Sequence, residues 1–305
     1  MNQNNNQQLN SKFVTGFADA ESSFGVYLKE NNKRKIGWQV RAIFQIHLHR
    51  KDQVLLEQIR SYFGVGRIYS HGKNSITYVV DTASDLEAII NHFEKYPLIT
   101  QKRADYELFK QIVLMVLNKE HHTHEGIKKI VAIKASINLG LSAELKAAFP
   151  EAEPVQRPLV ELPENIDPNW LAGFVEGEGC FYVSIFNSKA SKTGTAVYLR
   201  FTITQHSRDL QLMNSLAAYF GCGHLRVDPK TPAVYFSVSS FSDIDEKVIP
   251  FFQKYPLQGA KVLNFQDFCR VALLMKDKSH LTAEGLEQIR EIKAGMNTGR
   301  DNGSC

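Results

Sequence analysis

Between residues 37 and 48 the chain alternates: Trp38, Val40, Ala42, Phe44, Ile46 and Leu48 are apolar, and Gln39, Arg41, Gln45 and His47 lie between them. A period of two predicts a strand with one dry and one wet face. The pattern returns far downstream, with Val197, Leu199, Phe201 and Ile203 set against Tyr198, Arg200, Thr202 and Thr204. Around the first alternation the sequence predicts a helix over 11–21, strands over 23–30 and 37–48, and a helix over 52–63. Strands over 66–71 and 75–81, a helix over 84–94 and helices near 103–118 and 123–137 follow. The order α-β-β-α-β-β-α-α implies an α+β unit of antiparallel hairpins, with helices on one sheet face and the other face free.

The unit occurs twice. "FVTGFADAESSF" at 13–24 and "WLAGFVEGEGCF" at 170–181 align at an offset of 157, which also pairs "SYFGVGRI" with "AYFGCGHL". After two extra residues the offset is 159, pairing "EKYPLITQK" with "QKYPLQGAK" and Asn138 with Asn297. Kept order of many unlike features marks an internal duplication. The expected division is a disordered tail at 1–10, half-domains at 11–145 and 169–300, and between them a proline-rich linker at 146–168.

The helix shared by both copies carries an apparent cost. Gly173 and Gly177 interrupt the second copy, and each copy ends on a carboxylate, Glu21 or Glu178. A glycine costs a helix about 1 kcal/mol relative to alanine, and an acid in the last turn faces the negative end of the helix dipole. Small residues four apart, Gly16 with Ala20 and Gly173 with Gly177, would let two such helices pack closely. The two acids would then lie together and repel unless shared cations separate them, a role suited to an oxygen-ligated divalent ion such as Mg²⁺. The competing reading is a pair of exposed or salt-bridged acids.

The wet faces extend the picture. Tyr27, Lys29, Arg67, Tyr69, Ser75 and Thr77 in the first copy join Gln39, Arg41, Gln45 and His47. Tyr182, Ser184, His224, Arg226, Tyr235 and Ser237 join Tyr198, Arg200, Thr202 and Thr204 in the second. Such donors, acceptors and cations read base edges when a β-ribbon enters a major groove; a merely solvated face is the alternative. The connecting turns "KENNKRK" and "NSKASKTG" add Lys33, Arg34, Lys35, Lys189 and Lys192, suited to phosphates. Composition changes this little. With 305 residues, 43% hydrophobic, and a net charge of +4, the chain has room for two cores and permits nucleic-acid binding without requiring it. Cys180, Cys222, Cys269 and Cys305 lack metal or disulfide spacing. No run reaches the length of a membrane span, and the polar start resembles neither a secretory signal nor a transit peptide. The histidines at 121, 122 and 124 are not read as a metal site, since they sit in a polar stretch between helices that has no histidine cluster in the second copy.

"LAGFVEGEG" at 171–179 resembles the name-giving motif of the LAGLIDADG homing endonucleases in their single-chain, two-motif form, and the resemblance covers about 10–300. It implies two pseudo-symmetric α-β-β-α-β-β-α halves whose sheets form a saddle on DNA, with the motif helices packed at the interface. It implies that Glu21 and Glu178 bind catalytic metal with the backbone carbonyls of Ala20 and Gly177. By the same resemblance, Lys102 and Lys261 order water and balance phosphate charge, and Gln205 positions water; the first copy has Leu48 there. The expected activity is site-specific cleavage of both strands of a long, non-palindromic DNA target by a monomer, leaving short 3′ overhangs. Mg²⁺ is the expected ion, with Mn²⁺ substituting and Ca²⁺ supporting binding alone. The family also implies an intron-encoded, fungal mitochondrial protein. The alternative is an intron-splicing maturase binding RNA. The first motif departs from the pattern at Val14, Thr15 and Ser22, and Ser22 is expected to perturb the passage from helix to strand.

Overall fold

The computed structural model describes residues 8–191, 193–297 and 299–300. Lys192, Cys305 and most of the expected N-terminal tail lie outside them. The chain divides into two compact units between Asn165 and Ile166.

In the first unit Asn10 caps helix α1 (Ser11–Glu21) by accepting from Lys12 N and Phe13 N. Strand β1 (Ser22–Glu30) follows without a loop and pairs antiparallel with β2 (Trp38–His49). Helix α2 (Gln53–Phe63) leads to the hairpin β3 (Arg67–His71) and β4 (Ser75–Val80), giving the sheet order β1-β2-β4-β3. Helices α3 (Ala83–Lys95), α4 (Lys102–Leu117) and α5 (His124–Lys134) complete the expected set. The dry face of the sheet is the core: the Phe24 ring meets Phe44, Phe93, Tyr106 and Phe109 at centroid distances of 5.2–5.7 Å. A short helix α6 (Ala143–Ala148), capped by Ser142, was not expected; Phe149 behind it packs 5.0 Å from Trp38. The proline-rich segment then returns across its own unit, where Val155 N donates to Ala132 O and Arg157 holds Asp105 at 2.8 Å.

The second unit repeats the plan with α7 (Pro168–Glu178), β5 (Gly179–Asn187), β6 (Thr195–His206), α8 (Leu210–Phe220), β7 (His224–Val227) and β8 (Ala233–Val238). Its sheet order is β5-β6-β8-β7. Helix α9 (Phe241–Asp243), a π-turn (Ile244–Val248) and α10 (Ile249–Lys254) stand where the first unit has α3; α11 (Lys261–Lys276) and α12 (Ala283–Ala294) follow. The two extra residues of the second copy are thereby placed. Val80 faces Phe44 and Val238 faces Phe201, so one residue has entered by the end of β8, in the β7–β8 turn. The other is the π-turn, which is how a helix absorbs an inserted residue.

Asn138 and Asn297 show how closely the copies agree. Each is left-handed, at φ 50° and 51°, where asparagine is tolerated. Each donates its side-chain amide to the first strand of its unit, at Phe24 O (2.8 Å) and Phe181 O (3.3 Å). Asp105 and Asn264 accept their backbone N–H groups at 2.8 and 3.0 Å.

Candidate active site and nucleic-acid interface

In each unit the motif helix ends on a half-buried glutamate, Glu21 or Glu178, and the sheet begins at the next residue. The first lysine of α4 reaches back to that end: Lys102 Nζ donates to Ala18 O at 3.0 Å and Ala20 O at 3.2 Å. Lys261, the first residue of α11, donates to Val175 O at 3.0 Å and Gly177 O at 2.8 Å. An ammonium there adds a donor to the helix-end carbonyls, of which Ala18 O and Val175 O also accept the N–H of Ser22 and Gly179, and sets positive charge against the negative end of the dipole. The cost of the terminal acid is therefore met in part by lysine, and metal is not its only compensation. The carbonyls of Ala20 and Gly177 are the two that the family resemblance names as metal ligands. A carbonyl oxygen has two lone pairs, so lysine engages one.

The lysines are delivered by residues that the sequence reading passed over. Buried Asp19 accepts from Ile99 N (3.0 Å), Thr100 N (3.3 Å) and Thr100 Oγ1 (2.6 Å), and Thr100 Oγ1 in turn accepts from Lys102 N at 3.2 Å. Buried Glu176 likewise accepts from Gln258 N at 2.9 Å, just ahead of Lys261. These are the inner acids of the two motifs, two residues before Glu21 and Glu178. A signal was available: an acid at the same place in both copies, two residues before the terminal glutamate.

Ser22 does not disturb the helix-to-strand passage. It has φ −84° and ψ 160°, Gly179 has φ −83° and ψ 151°, and neither needs glycine's freedom. What Gly179 avoids is contact: a Cβ there would overlap the Val175 side chain and lie 2.7 Å from Val175 O. The first unit has Ala18 in place of Val175, and Ser22 Oγ donates to Ala18 O at 2.6 Å.

Gln205, near the end of β6, brings its Nε2 to 3.5 Å from Glu178 Oε1, while its Oε1 accepts from His206 N at 2.8 Å. Its counterpart Leu48 is buried. The neighbouring His47 has both ring nitrogens engaged, Nδ1 2.8 Å from Thr77 Oγ1 and Nε2 2.7 Å from Ser75 Oγ.

The wet sheet faces carry the expected side chains. In the first unit Tyr27, Lys29, Gln39, Arg41, His47, Arg67 and Tyr69 are exposed, Gln45 and Ser75 are half-buried, and Lys33, Arg34 and Lys35 are exposed in the β1–β2 turn. Thr77 is the exception: it is 5% exposed and serves as a partner of His47 rather than as an open contact. In the second unit Tyr182, Lys189, Arg200, His224 and Arg226 are exposed; Ser184, Tyr198, Thr202, Thr204, Tyr235 and Ser237 are half-buried. The Arg226 guanidinium lies 4.4 Å from the Tyr235 ring centre, and Thr202 and Ser237 pair hydroxyls at 3.3 Å. Burial pushes the Cys269 thiol up to about 11, which keeps it protonated and a poor nucleophile.

The family model described as LAGLIDADG endonuclease matches residues 14–113 and 171–272. "Probable intron-encoded endonuclease 3" of Neurospora crassa is 41% identical over 94% of this chain and 54% of its own length. "Probable intron-encoded endonuclease 2" of the same fungus is 41% identical over 94% and 65%. The chain thus spans about half to two thirds of these relatives. Among solved structures, the I-SmaMI LAGLIDADG homing endonuclease bound to cleaved DNA superposes with a TM-score of 0.94 at 46% identity, covering 96% of this chain and 98% of that one. The same protein on uncleaved DNA with calcium ions gives 0.93 at 46% identity, covering 95% and 99%.

Proposed function

This chain belongs to the LAGLIDADG endonuclease family, and from that premise we propose that it is a site-specific DNA endonuclease, cutting one phosphodiester in each strand of a long, non-palindromic duplex and leaving short 3′ overhangs. The observation that carries the proposal is the twofold occurrence of one constellation: a carboxylate closing the motif helix, helix-end carbonyls, and a lysine held on them at 2.8–3.2 Å. Both motifs lie in one chain, so the acting species is a monomer. I-SmaMI, solved on DNA, supports duplex DNA as the partner.

A divalent ion fits the residues present. The donors at each helix end are hard oxygens, and among the described residues no three His, Cys, Asp or Glu side chains gather into a closed cage. Mg²⁺ is held in this open way, by one or two carboxylates with water and substrate phosphate completing its shell. Glu21 and Glu178 would hold it, with the carbonyls of Ala20 and Gly177. When bound, such an ion polarises the phosphate and lowers the pKa of an attacking water. Lys102 and Lys261 add fixed positive charge beside the phosphate, and Gln205 orients a water toward Glu178. Mg²⁺ is the working ion, Mn²⁺ its substitute, and Ca²⁺ supports binding without cleavage.

The fungal intron-encoded relatives support a mitochondrial location. No helix among the described residues is long and apolar enough to cross a membrane. The test is incubation with Mg²⁺ and a pooled library of duplexes, sequencing the ends produced. Paired cuts at one site are expected; sequence-specific binding without cut ends, or binding to intron RNA alone, would overturn cleavage in favour of the maturase alternative.

A further inference from the structure

On the wet face of the first unit, Asp81 follows β4 and lies between two arginines. Its Oδ1 accepts from Arg67 Nη2 at 2.8 Å, and its Oδ2 accepts from Arg41 Nη2. The Asp81 side chain is 13% exposed and the Arg41 and Arg67 side chains are 54% and 60% exposed, so the acid is sunk between two arginines that stand out. The Arg67 guanidinium also lies 5.9 Å from the Tyr69 ring centre, a second restraint on it. The register of the second unit puts Ser239 in place of Asp81, and Tyr198 and His224 stand in place of Arg41 and Arg67. All three members of the group change together.

An acid on a surface that approaches phosphates is unfavourable unless it does something there. Two guanidiniums sharing one carboxylate carry a net charge of only +1, which makes them poor phosphate clamps. Held by one Nη each, they still present N–H donors in a fixed planar fork, with less rotamer freedom to lose on binding. That geometry matches the N7 and O6 acceptors of guanine in the major groove. We propose that Asp81 is a positioning residue that makes Arg41 and Arg67 two guanine readers in the half-site bound by the first unit. The inference rests on the reading of the chain as a site-specific DNA-binding enzyme.

The test is selection from a pool of randomised duplexes in Ca²⁺, with the parent protein, Arg41→Ala, Arg67→Ala and Asp81→Asn. The parent should enrich a site in which each arginine variant relaxes one guanine position, by roughly 5- to 150-fold, the range for a lost bidentate contact. Asp81→Asn should relax both positions at least fivefold while leaving preferences in the other half-site within twofold, a pattern that general loss of structure would not give. If Asp81→Asn does not fold, the Arg41→Lys, Arg67→Lys double variant decides. It should keep affinity for the unselected pool and lose the guanine preference, because lysine is a point charge without a fork. Arginine-dependent positions that are not guanine, or guanine preferences unmoved in Asp81→Asn or in the lysine pair, would overturn the proposal with the endonuclease reading intact. A parent that enriches no site would remove both.

Discussion

The two units keep one skeleton and fill one position, buried in the first and half-buried in the second, in opposite ways. In the first, Thr15 Oγ1 lies 3.0 Å from His92 Nε2, Tyr62 Oη lies 3.1 Å from His92 Nδ1, and Tyr62 donates to Ser11 Oγ at 2.8 Å. In the second, the same places hold Ala172, Phe251, Tyr219 and Pro168, and Phe251 packs 5.4 Å from Phe220 and 6.0 Å from Tyr219. A polar network and an aromatic cluster thus do equivalent work under the motif helix. Thr15, which departs from the family motif, is explained by its partner His92. The glutamates and lysines, by contrast, are identical in both units. Packing has been free to drift as long as each substitution brought its partner, while the helix-end chemistry has not drifted.

The strongest way to break that comparison is to damage the shared part. Glu21→Gln and Glu178→Gln keep size and hydrogen bonding but remove the charge that would hold metal. Each should slow cleavage by at least about a hundredfold, about 2.7 kcal/mol of barrier, while binding in Ca²⁺ persists. A single-turnover assay on labelled duplex reads the rate and a gel shift reads the binding. A variant cutting both strands at the parent rate would remove its glutamate from the site.

A second pair tests whether the units carry matched substitutions. Gly179→Ser drives a side chain into Val175 and should cost about 1–3 kcal/mol, the usual range for overpacking. Adding Val175→Ala recreates the arrangement of Ala18 and Ser22 and should recover most of the loss. Thermal unfolding of both variants measures it; equal destabilisation with and without Val175→Ala would mean that the contact is not what requires glycine there.

Much of this was legible in the sequence, and what was not has physical reasons. Period-two alternation and the repeat located every strand and both motif helices, because both signals are carried by consecutive side chains. Helix α6 escaped, since six residues are too few to show a helical period and its stability comes from the Ser142 cap and from Phe149 on Trp38. Lys102 and Lys261 could be aligned between the copies, but their hold on the helix-end carbonyls joins residues more than eighty positions apart. Asp81 has no acidic counterpart in the second copy and looks like an ordinary surface acid until Arg41 and Arg67, from other strands, are beside it.

Gln205 offers a smaller test of asymmetry. It contacts Glu178, its counterpart Leu48 can hold no water, and His47 is committed to Thr77 and Ser75 and so is poorly placed to substitute. One strand should therefore be nicked first. Gln205→Leu should slow the strand that Gln205 serves by about tenfold, about 1.4 kcal/mol. Equal strand rates in the parent, together with no change in the variant, would take Gln205 out of the site.

The smallest effect concerns the buried histidine. Burial, and then the nearby Lys12 charge, lower the pKa of His92 from 6.5 to about 4. Between those values the unfolded chain binds a proton that the folded chain refuses, so stability is complete above pH 6.5 and is lost as pH falls. The Tyr62 hydroxyl against the ring does not reverse this, since burial raises its own pKa. The slope contributed is about 1.4 kcal/mol per pH unit at most. At pH 5.5 the loss is about 1 kcal/mol, a fall of roughly 2–4 °C in Tm. His92→Phe, made with Thr15→Ala, gives the first unit the side chains of the second at these two places and should flatten that part of the acid-side slope. Melting curves from pH 5 to 8 on parent and double variant read the difference in slope, which a general loss of stability would not alter. Parallel pH profiles would show that His92 is protonated in the fold and that the network around Thr15 holds a charge.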